Sequence, residues 1–99
     1  MIDLTAVEGF DWDEGNGRKN IDKHGVSQTE AEQVFNGAPL LADDVKHSAT
    51  EERFQALGET AEGRLLHVTF TLRDDGKRLR IISARDMNRK ERANYEQST

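Results

Sequence analysis

Cysteine is absent from this chain. That excludes a disulfide framework, a thiolate nucleophile and a cysteine zinc site, and makes a reducing cytoplasm the expected setting. Long apolar runs are missing as well. No stretch approaches the roughly 18 residues of a membrane span, and the N-terminus has no basic segment leading into an apolar one. The expectation is a chain neither exported nor membrane-bound. Histidine is scarce: His24, His47 and His67 stand far apart, and no pair has the i, i+4 or H-x-H spacing with which one element grips a metal. No metal site is expected. Glycine forms no dinucleotide fingerprint, P-loop or G-x-S-x-G elbow, and Ser27, Ser48 and Ser83 lack a nucleophile's context. No cofactor is expected either.

What is there amounts to one domain over residues 1–99, of a size that buries somewhat over ~60% of its extended surface. Apolar residues make up 34% and charged ones 33%, so the core is thin and a partner would stabilise it. The net charge of −5 hides an asymmetry. Residues 1–62 hold 14 acidic and 5 basic side chains, a net of −9, and residues 63–99 hold 5 and 9, a net of +4. The basic half suits nucleic acid or an acidic protein.

The most informative stretch is Arg64 to Arg85. Leu66, Val68, Phe70 and Leu72 alternate with His67, Thr69 and Thr71, the period-two pattern of a half-buried strand. Asp74-Asp75-Gly76 supplies residues that tolerate positive φ in a tight reversal. The return strand, Lys77 to Arg85, carries Arg78, Arg80 and Arg85. The expected sheet has one apolar face and one offering cations, hydroxyls and an imidazole, which suits a polyanion.

Along the chain, Met1 to Gly9 lacks periodicity and is expected as a poorly ordered end. Phe10 and Trp12 read as core anchors in a short extended segment. Asp13 caps an expected helix that runs to about His24, where Gly25 ends it in a left-handed conformation. Ser27-x-x-Glu30 is a capping box for a second helix, with Val26 stapled to Ala31 and Asn36-Gly37 as the stop. Pro39 to Val45 reads as an edge strand and Glu52 to Glu59 as the next. A last helix spans Asn88 to Gln97, with Asn88 as cap and Glu91 at its third position. The expected fold is α+β, a four-stranded antiparallel sheet with two N-terminal helices and one C-terminal helix.

Arginine, lysine and histidine are enough to cleave RNA without metal. The ribose 2′-hydroxyl is itself the nucleophile, so the enzyme needs to take its proton, stabilise charge on the phosphoryl oxygens and protonate the leaving 5′-oxygen. The fixed guanidinium fork serves the second task and imidazole the proton transfers. The bland alternative for each arginine is a solvated face or an ion pair with the acidic half. Arg89, Lys90 and Arg92 are less bland, because cations at a helix N-terminus oppose its dipole and an anionic partner would relieve them.

FDWDEGNGRKNIDKHGVSQTEAEQVF, EERFQALGET, GRLLHVTFT, RLRIISAR and the closing ER-x-x-YE together resemble the BrnT family of toxins from type II toxin–antitoxin modules, over roughly residues 10–96. The resemblance implies a RelE-like fold and an endoribonuclease that blocks translation. It implies a partner too, a BrnA-like antitoxin whose ribbon-helix-helix domain binds operator DNA. The toxin would then form a hetero-oligomer and meet operator DNA only through that partner. His24, Arg53, Arg64, Arg80 and Arg85 match family positions; Arg64, Arg80 and Arg85 are expected to bind the scissile phosphate, and His24 or His67 to move a proton. Lys23, Arg78, Arg89 and Arg92 are expected to contact RNA. The chain departs from the family pattern at Asn16 and at Ala49-Thr50. A non-catalytic module that docks a DNA-binding partner is the competing reading, and the low basic content favours it.

Overall fold

In the computed structural model, residues 4–12, 15, 18–19, 23–44 and 51–98 are described. The elements are β1 (Gly9–Asp11), α1 (Gln28–Gln33, continued by a 3-10 turn Val34–Asn36), β2 (Leu40–Asp43), β3 (Phe54–Glu59), β4 (Leu65–Arg73), β5 (Arg78–Asp86) and α2 (Arg89–Ser98). The strands form one five-stranded sheet in the order β1-β5-β4-β3-β2.

The expected four-stranded antiparallel sheet is therefore corrected to a five-stranded mixed one. The added strand is β1, which pairs parallel to β5 with Phe10 beside Leu79 and Asp11 beside Arg80. Three residues are too few for a period-two pattern to declare a strand. What places β1 is its partner: Phe10 joins the apolar face of the sheet and Asp11 meets the Arg80 guanidinium on the other face at 2.9 Å. Two helices, α1 and α2, have both ends among the described residues; of the first helix expected, only Gly15, Arg18, Lys19, Lys23 and His24 are described, and those are helical. The helix expected from Asp13 to about His24 lies largely outside the described residues, as do Met1 to Asp3, Asn16, Val45, His47 and Ala49-Thr50. Residues 4–9, expected as a poorly ordered end, are tied down. The Glu8 amide donates to the Lys77 carbonyl at 2.7 Å, and Leu4 and Val7 pack against the core.

Both legible caps are present. The Ser27 hydroxyl accepts from the Glu30 amide at 3.1 Å while the Glu30 carboxylate accepts from the Ser27 amide at 3.0 Å. Asn88 and Glu91 repeat the exchange at the start of α2, at 2.8 and 2.9 Å. The hairpin turn also forms as the sequence requires, with Asp74, Asp75 and Gly76 at φ 54, 56 and 86°.

The core lies between α1 and one face of the sheet. Val26, Ala31 and Val34 meet Leu66, Val68 and Phe70 of β4 and Leu79, Ile81 and Ala84 of β5, all almost fully buried. Phe70 is the hub, with Phe35 at 5.1 Å edge-on and Phe54 at 5.5 Å. Gly58 lets the helix approach: a Cβ there would sit 2.6 Å from a Val34 methyl. Trp12 closes one side, its indole N–H donating to Glu32 at 2.8 Å.

Strict alternation would put Arg80 and Arg85, five positions apart, on opposite faces of β5. A bulge prevents that. Thr69 pairs with Ser83 and Phe70 with Ile81, so Ile82 is the extra residue. Ile81 and Ala84 thus both face the core, and Arg80, Ser83 and Arg85 share the open face with His67 and Thr69.

Candidate active site

The open face carries a cleft of about 360 Å³, lined among others by Arg53, His67, Thr69, Ser83, Arg85 and Glu91. Its position follows from the sheet register. His67 and Arg85 are cross-strand partners on β4 and β5, as are Thr69 and Ser83 one step along. Arg53 enters just before β3, and its carbonyl accepts from the Asp44 amide at 2.9 Å, which fastens the end of β2 to that corner. The first turn of α2 folds back over the far end and delivers Glu91.

His67 is 6% exposed. Burial, and then the Arg85 charge, lower its pKa from the ordinary histidine value, against the opposing pull of Glu91 and Asp44. The imidazole is therefore neutral at neutral pH and able to accept a proton. Arg85 donates to Glu91 through both terminal nitrogens at 2.8 Å, and through Nη1 to the Asp86 carbonyl at 3.1 Å. The bonds between Arg85 and Glu91 raise the pKa of Arg85 and hold the Glu91 carboxyl below the usual range. Glu91 Oε2 also lies 3.8 Å from His67 Nε2.

Of the six residues expected to be catalytic, Arg53, His67 and Arg85 come together here. His24 and Arg64 lie elsewhere. Arg64, at the start of β4, donates to both Asp86 oxygens at 2.7 and 3.1 Å, to Glu30 at 3.1 Å, and to the carbonyls of Gly25 and His24 at 2.9 and 3.5 Å. Its five donors are thus committed to joining α1, the 24–25 turn and β5. The Asp86 bonds, ahead of Glu30, raise its pKa, and Asp86 is lowered in return, helped by Arg92 and His24. Asp86 pairs with Leu66, on the core side of the strand, so this cluster faces away from the cleft.

Arg80 shares the open face but sits nearer the hairpin turn, beside Thr71, with its guanidinium on Asp11 at 2.9 and 3.1 Å. Of the residues expected to contact RNA, Arg78 is exposed next to that turn, opposite Arg73, and Lys23 is exposed ahead of Gly25. Arg89 and Arg92 line a separate shallow groove on α2 with Ala93 and Glu96. Among the described residues no group of three or more His, Asp or Glu side chains is arranged to hold a metal, and no helix is long and apolar enough to cross a membrane.

Sequence reasoning missed Glu91 as a site residue because its capping role accounted for it fully. Thr69 and Ser83 carried a weak signal as hydroxyls on the polar register of the hairpin. Asp44 carried none, since only the fold brings it beside Arg53.

The class that the fold and site define is a small α+β domain, with one sheet face covered by α1 and a cleft with two arginines and a histidine on the other. The fold is similar to the crystal structure of the Brucella abortus ribonuclease toxin BrnT, with a TM-score of 0.59 and 23% identity over 82% of this chain and 97% of that one. A family model described as ribonuclease toxin, BrnT, of type II toxin-antitoxin system matches residues 12–91, and the chain belongs to that family. Membership makes it a toxin that is a ribonuclease, with RNA as substrate and an antitoxin as partner. No curated protein matches the chain.

Proposed function

We propose that this chain is a metal-independent endoribonuclease whose active site is the cleft formed by Arg53, His67 and Arg85. The observation that supports this most is the pairing of a buried, neutral imidazole with two arginines in one basin on the open face. Neutral His67 takes the proton of the ribose 2′-hydroxyl. The 2′-oxygen attacks phosphorus, the bond from phosphorus to the 5′-oxygen breaks, and the leaving oxygen takes a proton from solvent. Arg85 and Arg53 offset the charge that builds on the non-bridging oxygens, a contribution of the order of 10²- to 10³-fold for one such donor. Because the RNA provides its own nucleophile, the remaining tasks are those an imidazole and guanidinium groups perform.

The physiological consequence is blocked translation in the cytoplasm. The neutralising partner is a BrnA-like antitoxin with a ribbon-helix-helix domain, in a hetero-oligomer that reaches operator DNA only through that domain. The cationic first turn of α2, with Arg89, Lys90 and Arg92 exposed, fits a carboxylate-bearing partner.

The test is incubation of the purified chain with single-stranded RNA in excess EDTA. Cleavage that leaves 2′,3′-cyclic phosphate ends, and that falls about 10²-fold or more in Arg85→Ala, is the expected result. Cleavage that stops with EDTA and returns with a divalent ion contradicts metal independence. A folded chain that binds its antitoxin but leaves RNA intact supports a docking module instead.

A further inference from the structure

Glu91 makes more contacts than a helix cap requires. It closes the capping box with Asn88 at 2.8 and 2.9 Å, receives both terminal nitrogens of Arg85 at 2.8 Å, and faces His67 Nε2 at 3.8 Å. A cap alone is served equally by glutamine. The two bonds from Arg85 use the end of the guanidinium, Nη1 and Nη2. Among the described residues Glu91 takes the Nη1–Nη2 end and leaves Nε, on the Nε–Nη2 edge of Arg85, unused. That side edge grips a phosphate through two parallel hydrogen bonds.

We propose that Glu91 is a positioning residue of the ribonuclease site, fixing the Arg85 guanidinium so that its Nε–Nη2 edge meets the scissile phosphate and holding a negative charge against His67. The role rests on the ribonuclease reading of the cleft. Glu91 itself does not touch RNA. A charged fork on a long side chain loses rate when its plane swings, because reacting groups must be held close to the productive geometry. Anchoring that fork to the first turn of α2 gives it a rigid mount. The anchor also sets the charge around the imidazole. Arg85 from β5 faces His67 as a cation, with Arg53 from just before β3 lining the same cleft; Glu91 from α2 and Asp44 from just after β2 face it as carboxylates. Removing the Glu91 charge leaves Arg85 unneutralised beside His67, so protonation of the imidazole becomes harder.

Glu91→Gln in the full chain separates these roles, since glutamine preserves the capping box and α2 stays folded. The His67 titration, followed by NMR and assigned with His67→Gln, is expected to move down by about 0.5–1 unit. Turnover is expected to fall about 10-fold with KM changed less than about 2-fold. Glu91→Asp, which keeps the charge but shortens the reach, should restore the titration more fully than the turnover. Asn88→Ala removes only the other half of the cap and should lower the melting temperature without moving the titration. An unmoved titration and intact turnover in Glu91→Gln overturn the positioning role alone. A wild-type chain that cleaves no RNA overturns the ribonuclease reading, and this role with it.

Discussion

Arg64, Arg80 and Arg85 look equivalent in the sequence, and their neighbours make them different tools. Arg64 spends its donors on Asp86, Glu30 and two backbone carbonyls, Arg80 meets Asp11, and Arg85 stands beside His67 with its two terminal nitrogens on Glu91. The variants should divide accordingly. Arg64→Ala is expected to lose about 1 kcal/mol of stability, limited by solvent screening at a partly exposed site, while the folded fraction keeps cleaving. Arg85→Ala is expected to lose turnover with little change in melting temperature, and Arg80→Ala to fall between, with a turnover loss well below that of Arg85→Ala. Paired urea titrations and turnover numbers check this; a turnover loss in Arg64→Ala as large as that in Arg85→Ala would place the phosphate at the wrong cluster. The titrating groups give a further expectation. Glu30, Asp86 and Glu91 have lowered pKa values, so the stability they add is present above their unfolded values and is lost as pH falls through the folded ones. His67 is also lowered, so the folded state resists its protonation, and stability drops as pH falls below about 6.5 toward the folded value. Urea unfolding at pH 7 and pH 5 should therefore show a smaller stability loss in His67→Gln than in the wild type.

At the scale of elements, the parts legible in the sequence are those whose signal is local. Ser27 with Glu30, Asn88 with Glu91, and the Asp-Asp-Gly turn each declare themselves within four residues, and each forms as read. The hairpin was legible because β4 alternates over its whole core-facing run. The strand β1 was not, because three residues gain their place only from a partner about 70 positions away. Nor was the bulge at Ile82, although Arg80 and Arg85 can share a face only through such an insertion. Gly58 belongs to this scale as well. It reads as a weak point in β3, yet it is where Val34 comes closest to the sheet. Gly58→Ala is expected to destabilise by about 1–3 kcal/mol through overpacking, read as a lower urea midpoint with an unchanged slope. An unaltered midpoint would mean that α1 moves away at no cost.

For the whole molecule, the two faces of the sheet divide the work. One face buries a thin core under α1. The other stays polar and collects, from β4, β5, the approach to β3 and the start of α2, side chains that are scattered from Asp44 to Glu91 in the sequence. His67, Arg53 and Arg85 were readable as candidates from their chemistry and the family pattern. Their meeting was not readable, since it depends on strand order and register. The overall charge of −5 is compatible with RNA binding because the acidic excess lies in residues 1–62 and the cleft draws its arginines from both halves. The central claim is that a buried neutral His67 is the base, and its most direct measurement is the pH dependence of kcat/KM on a single-stranded RNA. Wild type is expected to show an acid limb with an inflection below the ordinary histidine value of about 6.5, and His67→Gln to lose both that limb and about 10²- to 10⁴-fold in rate. A His67→Gln protein that keeps the same limb at near-wild-type rate would contradict the account.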